Sequence, residues 1–183
     1  MWRELTLRNK PNRVAFGPIT CSVTMEGSFH ERTFAKTAEA LIGAITRAIA
    51  AHPCEGGGEE WAIHNGTETV LRGIPATSLP WPIRYVSFTG TLPLITTVTV
   101  NLTGIVVTAT GLCLETFGEA AETRPWVFRI GLGGVVNTFE PAETHLIRPA
   151  EALPFCTEMA RLGGVSGPVT QLGTTTQIAM RLI

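Results

Sequence analysis

The stretch that decides the fold reads Thr97-Val98-Thr99-Val100-Asn101-Leu102-Thr103. Polar residues alternate with aliphatic ones, and this period of two is that of a β-strand with one buried and one polar face. The stretch lies within thirty consecutive uncharged positions, residues 85–114. A run of that length first suggests a membrane helix, but the alternation and the interruptions at Pro93 and Gly104 indicate strands instead. We therefore predict strands at residues 83–91, 94–103 and 105–116.

Weaker strand patterns lie on both sides of this central region. Residues 19–26 alternate strictly between apolar and polar side chains. Asn65-Gly66 is the residue pair that a type I′ hairpin turn prefers. From these and similar patterns we also predict strands at residues 126–130, 135–139 and 174–183, and a short helix within residues 151–161.

One segment has the pattern of a long helix. Ser28 and Glu31 have the spacing of a capping box, in which each side chain bonds the other residue's backbone amide. Pro53 prevents the helix from continuing beyond about residue 51. Apolar residues recur between these limits at helical spacing: Phe34, Ala38, Leu41, Ile42, Ile45 and Ile49.

Together these patterns predict the fold class. We expect an α+β chain that is predominantly β, folded as one domain over residues 1–183. Its strands would form an antiparallel sandwich or barrel, with a jelly roll among the options. The one long amphipathic helix, over about residues 29–51, would pack on the sheet.

The charged residues exclude several classes of function. Only 16% of the residues are charged and the net charge is -1, so no global basic field is present to hold nucleic acid. The single basic cluster, a modest arm for nucleic acid at most, consists of Arg3, Arg8, Lys10 and Arg13. All 15 acidic residues are glutamates. The absence of aspartate excludes the usual forms of aspartate-bearing magnesium sites, EF-hands and catalytic triads.

The cysteines and the first residues bear on the cellular compartment. Four cysteines, at positions 21, 54, 113 and 156, show no CxxC spacing, and we interpret them as free thiols. Residues 1–5 contain no apolar signal-peptide core. We expect an intracellular protein at synthesis, without membrane insertion, whose final location would be a virion if it is a capsid subunit.

The candidate chemical motifs are weak. His52, Cys54 and His64 match no common zinc-ligand spacing. Cys156 is the one nameable thiol nucleophile, but no motif surrounds it. Gly131-Leu132-Gly133-Gly134 is followed by β-branched residues and not by a helix, so we interpret it as a connection between strands and not as a dinucleotide loop. We therefore predict no catalytic, cofactor-binding or metal-binding residues and no cofactor.

Low charge, threonine-rich alternating strands and the lack of a catalytic motif favour a non-enzymatic structural subunit. We expect it to assemble with copies of itself, and with other subunits, into a particle such as a viral or phage capsid or tail. The expected assembly surface combines small residues of the predicted helix with polar residues of the central strand: Thr33, Thr37, Ala40, Ala44, Thr97, Thr99, Asn101 and Thr103.

Two alternatives remain open at the level of sequence. The first is a β-barrel that binds a small apolar ligand and is closed by the helix. Its pocket would be lined by aromatic residues, unless these form the core instead: Trp61, Trp81, Phe88, Trp126 and Phe128. The second is an enzyme of unrecognised type.

Overall fold

The structure is a computed structural model. It describes residues 2–7, 20–31, 33–50, 60–62, 79–91, 93–110, 115–118, 121–142, 146–147, 159–163 and 167–180.

Strands dominate the described residues, as the sequence predicts. In chain order they are β1 (Trp2–Leu7), β2 (Thr20–Phe29), β3 (Leu41–Ala50), β4 (Glu60–Ala62), β5 (Trp81–Thr91), β6 (Leu94–Thr103), β7 (Val107–Thr110), β8 (Glu115–Phe117), β9 (Thr123–Ile130), β10 (Val136–Pro141), β11 (Leu146–Ile147) and β12 (Met159–Gly163).

Nine of these strands form one antiparallel sheet in the order β10-β9-β6-β5-β3-β2-β1-β12-β11. Six neighbouring strands of this sheet, β10 to β2, curl into a half-barrel. The curl brings Cα atoms of β12 within 8 Å of β10, although six strands separate the two in the sheet. A smaller antiparallel sheet has the order β4-β7-β8.

The alternation of the central strand divides the sheet into two faces. On β6, Val98, Val100 and Leu102 are buried, and we call their side of the sheet the inner face. Val98 is paired with Phe88 of β5 and Phe128 of β9. The core continues along β9 and β10, where the Phe128 and Phe139 rings stack with centroids 4.1 Å apart. The prediction of strands at 83–91 and 94–103 is confirmed.

The prediction of a long helix at about residues 29–51 is wrong. Residues 20–29 belong to β2, residues 41–50 form β3, and Ser28 of the expected capping box pairs with Ala44 across the two strands. In the part of the chain that the structure describes, the sole helical element is a 3₁₀ turn at Leu132–Gly134. No described helix is long and apolar enough to cross a membrane.

Two β-bulges explain why this segment has helical spacing. The β2–β3 register skips Thr46, and the β3–β5 register skips Ile42. An extra residue in one strand shifts the side chains that follow it to the other face. As a result Ile42, Ile45 and Ala48 are all buried, at a spacing of three that resembles one face of a helix.

The remaining predicted elements have mixed outcomes. Residues 126–130 lie in β9 and residues 136–139 in β10, while Val135 forms an isolated bridge with Ala179. The 3₁₀ turn at Leu132–Gly134, which we call the glycine turn, lies between the two strands. The prediction of one strand at 105–116 is wrong, since β7 and β8 are two strands that pair with each other antiparallel. The short helix predicted within 151–161 is wrong at residues 159–161, which belong to strand β12. Its other residues, like the Asn65-Gly66 turn, lie outside the described residues. Residues 174–180 form turns and isolated bridges and not a continuous strand.

Candidate functional site

The connection between β2 and β3, residues 30–40, folds over the inner face of the sheet. It starts with a hydrogen bond from the backbone amide of His30 to the carbonyl oxygen of Ile42, 3.0 Å long. Phe34 packs on the Tyr85 ring, with centroids 6.0 Å apart. The Nζ atom of Lys36 lies 5.9 Å from the centroid of the Phe88 ring, within the range of a cation–π contact. The connection therefore forms one wall above β5.

Glu39 anchors the far end of this connection. Its backbone amide donates to the carbonyl oxygen of Tyr85 at 2.8 Å, and its own carbonyl oxygen accepts from Arg84 Nη1 at 2.9 Å. Its Oε1 atom accepts from Asn101 Nδ2 at 3.1 Å. Glu39 has a φ of 64°, in the left-handed region that non-glycine residues seldom adopt. These hydrogen bonds offset the cost of that backbone conformation.

The C-terminal segment, residues 167–180, forms the opposite wall. The Met180 amide donates to the carbonyl oxygen of Gly134 at 2.7 Å, and the Val136 amide donates to that of Ile178 at 2.9 Å. The segment turns back on itself, since the Ile178 amide donates to the carbonyl oxygen of Val169 at 3.0 Å. Val169, Ile178 and Met180 pack against the core. The segment is thereby fixed to the start of β10.

The attachment of the C-terminal segment to β10 requires glycine at position 134. Its φ is +81°, and a Cβ atom at this position would lie 2.6 Å from the carbonyl oxygen of Met180. A side chain there would both strain the backbone and push the C-terminal segment away. The neighbouring Gly133 also has a positive φ, of +72°, but nothing lies within 4 Å of its added Cβ.

A cleft with a volume of about 810 Å³ lies between the two walls. Its floor is the inner face of β5 and β6. The lining is mainly aromatic and aliphatic, with polar and charged groups from the two walls: Phe29, His30, Glu31, Thr33, Phe34, Lys36, Tyr85, Phe88, Ile95, Val98, Gln171, Gln177, Ile178, Ala179 and Met180. A small-molecule site is usually a concave cleft that combines apolar surface with polar groups. Here nine of the fifteen lining residues are aromatic or aliphatic and six are polar or charged.

The electrostatics of the cleft differ between floor and rim. Burial raises the pKa of the Tyr85 phenol above its ordinary value, so the floor carries a neutral hydroxyl at physiological pH. His30, Glu31 and Lys36 are exposed on the connection. Charge is therefore available at the rim, while the floor is neutral.

The aromatic residues considered from the sequence as pocket lining have separate positions. Phe88 lines the cleft. Trp81, Trp126 and Phe128 are buried in the core. Trp61 lies in β4, where only the backbone is described.

The predicted assembly surface is split into two parts. Thr33, Thr37 and Ala40 lie in the β2–β3 connection and Ala44 lies in β3, so the small-residue stripe of a helix does not exist. Thr33 lines the cleft instead. The polar residues of β6, in contrast, share one face of the sheet, opposite the core, and are half-buried: Thr97, Thr99, Asn101 and Thr103.

Hydroxyl groups on this polar face bond to each other. The hydroxyl oxygens of Thr89 and Thr97 are 2.6 Å apart, and those of Thr103 and Thr123 are 3.0 Å apart. Arg129 and Glu140 form an ion pair on the adjoining strands β9 and β10, so their charges offset each other. The face is consequently polar but poor in uncompensated charge.

The weaker chemical candidates fall mostly outside the described residues. His52, Cys54, His64 and Cys156 lie there, as do Arg8, Lys10 and Arg13 of the basic cluster. Arg3 is in β1. Among the described residues, no group of three or more histidine, cysteine or glutamate side chains is placed to hold a metal ion.

The cleft residues contributed by distant segments could not be selected from sequence. Phe34 and Ile178 give no local signal of proximity to Tyr85, since register and loop folding bring them together.

Comparison with known proteins finds no matching protein family, no matching curated protein and no matching solved structure.

Proposed function

We propose that this chain is a binding module for a small ligand with an apolar body and one anionic end. The observation that carries this proposal is the 810 Å³ cleft at the inner face of the curled sheet. Its volume lies within the roughly 300–1,000 Å³ of ordinary ligand sites. Of the sandwich and the barrel expected from the sequence, the barrel would place this cleft at its mouth, where ligands commonly bind.

The floor supplies the apolar contacts in this proposal. Tyr85, Ile95 and Val98 are buried or nearly so, and Phe88 is half-buried beside them. A hydrocarbon body placed over them covers chiefly the half-buried rings of Phe88 and Phe34, and the apolar surface removed from water on both partners is favourable at about 25 cal/mol per Å².

The cleft is lined by one carboxylate, Glu31, and by the ammonium group of Lys36, and the contact of Lys36 with the floor ring Phe88 favours an anionic ligand end. This ammonium group already lies over the Phe88 ring at the cleft floor. An anionic group at this point gains a charge-assisted contact without bringing a new cation into the cleft. The neutral Tyr85 hydroxyl is a second hydrogen-bonding group for the same ligand.

Isothermal titration with decanoate tests the proposal. We expect saturable binding at one site per chain. Thr33→Trp places a large ring at a position that lines the cleft and should weaken binding by about tenfold or more. Thr46→Trp is the matched control, because Thr46 is exposed on β3 and does not line the cleft. Equal affinity in both variants, or no binding by the native chain, would refute the proposal.

A second candidate is the structural subunit expected from the sequence. It is supported by the polar face of β6, whose threonine hydroxyls already bond each other and which carries little uncompensated charge. Two copies that packed these faces together would form a two-layer sandwich, the arrangement that a sheet with one unpaired face adopts. Such dimers would be the building blocks of a particle of the capsid or tail type.

Light scattering on purified protein tests this candidate. Thr99 stands in the middle of the polar face, so Thr99→Arg should dissociate the assembly. Thr24→Arg, at an exposed position of β2, is the control and should leave the assembly intact. A native chain that stays monomeric at high concentration would exclude the structural role while leaving the ligand-binding proposal open.

A further inference from the structure

Glu39 adopts a backbone conformation that its residue type disfavours. Its φ is 64°, and among the described residues it is the one residue other than glycine with a positive φ. It occupies the third position of a β-turn over residues 37–40, in which the Ala40 amide donates to the carbonyl oxygen of Thr37 at 3.1 Å. Glycine or asparagine is usual at a turn position with positive φ. A glutamate in this place therefore indicates a contact that glycine could not make.

That contact lies on the polar face of the sheet. The Oε1 atom of Glu39 accepts a hydrogen bond from Nδ2 of Asn101, which faces away from the core on β6. Arg84 of β5, the strand partner of Asn101, donates from Nη1 to the carbonyl oxygen of Glu39. Glu39 thus ties the turn to two strands, to β6 through its carboxylate and to β5 through its carbonyl oxygen.

The residue just before the turn lies on the other side of the sheet. Lys36 lines the cleft, and its Nζ atom lies over the Phe88 ring. The Glu39 amide donates at 2.8 Å to the carbonyl oxygen of Tyr85, whose side chain lines the same cleft. Side chains only three residues apart in the chain, those of Lys36 and Glu39, therefore reach opposite faces of the sheet.

The position of Lys36 depends more on the turn than that of Phe34 does. Phe34 is partly buried and packs by its own ring against Tyr85. Lys36 is exposed, and its Nζ atom is 5.9 Å from the Phe88 centroid, close to the limit of about 6 Å for a cation–π contact. A lysine side chain also has many rotamers. The place of the ammonium group consequently follows the backbone that carries it.

We propose that Glu39 is a positioning residue for the charged end of the ligand. Its bond to Asn101 fixes the turn that holds the Lys36 ammonium group over the cleft floor. This inference rests on the proposed ligand-binding function. Glu39 does not line the cleft and acts from the opposite face of the sheet, through the backbone of the turn. It therefore sets the preference for an anionic over a neutral ligand end and not the affinity for the hydrocarbon body.

The expected sign of a substitution is opposite to that of charge alone. Glu39 carries a negative charge close to Lys36 in the chain, so simple electrostatics predicts that its removal favours an anionic ligand. In the positioning role its removal weakens the binding of that ligand, because Lys36 loses its fixed place. Glu39→Gln removes the charge but keeps the oxygen that accepts from Asn101, and this variant should keep the turn in place.

Calorimetric titration with decanoate and with decanol tests the proposal. Glu39→Ala should bind decanoate about threefold more weakly, the size expected for one hydrogen bond, and decanol with unchanged affinity. Glu39→Gln should bind decanoate no more weakly than the native chain. Glu26→Ala is the control for net charge, since it removes a carboxylate that bonds Arg47 and does not line the cleft, and it should change neither affinity.

Two further variants separate positioning from stability. Glu39→Gly relieves the backbone strain that alanine retains, so it should unfold at a higher urea concentration than Glu39→Ala and yet bind decanoate equally weakly. In a Lys36→Met chain, Glu39→Ala should cause no further loss of decanoate affinity, because the group that Glu39 positions is absent.

Several results would overturn the positioning role. They are an unchanged decanoate affinity in Glu39→Ala, an equal loss in Glu39→Gln, and a full further loss in the Lys36→Met chain. Affinities that follow the urea midpoints, with Glu39→Gly close to native, would also overturn it, because Glu39 would then act on stability alone. Titration of the native chain keeps the two proposals apart: no decanoate binding refutes the ligand site itself, whereas native binding with unaffected Glu39 variants refutes only the role of Glu39.

Discussion

The ring of Phe34 lies against the ring of Tyr85, with centroids 6.0 Å apart and planes tilted by 52°. This contact joins the β2–β3 connection to the floor strand β5. Since Phe34 is only partly buried and Tyr85 is buried, the pair marks the boundary between core and cleft.

Phe34→Ala should loosen the connection without unfolding the sheet. Loss of a half-buried ring costs less than the 3–5 kcal/mol of a core phenylalanine, and we expect about 1–2 kcal/mol in the free energy of unfolding. Decanoate affinity should fall together with it, because one wall of the cleft is lost. Urea unfolding and titration measure the two effects. Phe34→Leu, which retains most of the apolar contact, should restore most of both; an unchanged affinity in Phe34→Ala would remove Phe34 from the site.

Lys36→Met should separate the contribution of charge to ligand binding from that of apolar contact. The methionine keeps a long apolar side chain but removes the ammonium group above Phe88. A solvent-exposed charge contact near 4 Å is worth about 1 kcal/mol, so decanoate should bind about fivefold more weakly. Decanol, which has no charge, should bind within about twofold of its native affinity. Equal losses for both ligands would show that Lys36 does not contact the anionic end.

The glycine turn offers a matched pair of substitutions. Gly133→Ala should cost only the left-handed backbone strain, about 1–2 kcal/mol. Gly134→Ala adds the clash with the Met180 carbonyl oxygen and should cost clearly more. It should also weaken decanoate binding, because the C-terminal wall depends on this contact. Equal unfolding free energies for the two variants would contradict the attachment described for this segment.

Alkaline pH should destabilise the fold through Tyr85. Burial raises the folded-state pKa of this phenol above its ordinary 10.0, so the folded chain holds the proton more tightly than the unfolded chain. The stabilisation is complete below pH about 10 and is lost as the pH rises through the folded-state pKa. Comparing unfolding free energies of the native chain and Tyr85→Phe between pH 8 and 11.5 isolates this effect. Parallel pH dependences would mean that the phenol is not desolvated.

The strand assignments at the centre of the chain were accessible from sequence because local pattern and tertiary burial agree there. Val98, Val100 and Leu102 alternate with Thr99 and Asn101, and no bulge disturbs the β6–β9 pairing. Each side chain then lies on the face that the period of two assigns to it.

The prediction of a helix was wrong because two bulges changed the spacing of the buried side chains in β3. Because the registers skip Ile42 and Thr46, the buried residues of β3 are spaced three apart. Sequence periodicity cannot distinguish this spacing from one face of a helix. Gly43 was the available contrary signal: glycine is unfavourable inside a helix, and here β2 approaches it closely. The cleft was beyond prediction, since its walls depend on where a connection and a distant C-terminal segment fold.

The central claim, a ligand on the floor of the cleft, is tested most directly at Tyr85, the one tyrosine in the sequence. Protein labelled with ¹³C in the tyrosine ring gives a single set of NMR signals from the cleft floor. Titration with decanoate should shift these signals saturably, with the dissociation constant found by calorimetry, and in Thr33→Trp the shift should require a decanoate concentration about tenfold higher or more. Tyrosine signals that stay in place while decanoate binds would put the ligand elsewhere and contradict the assignment of the site.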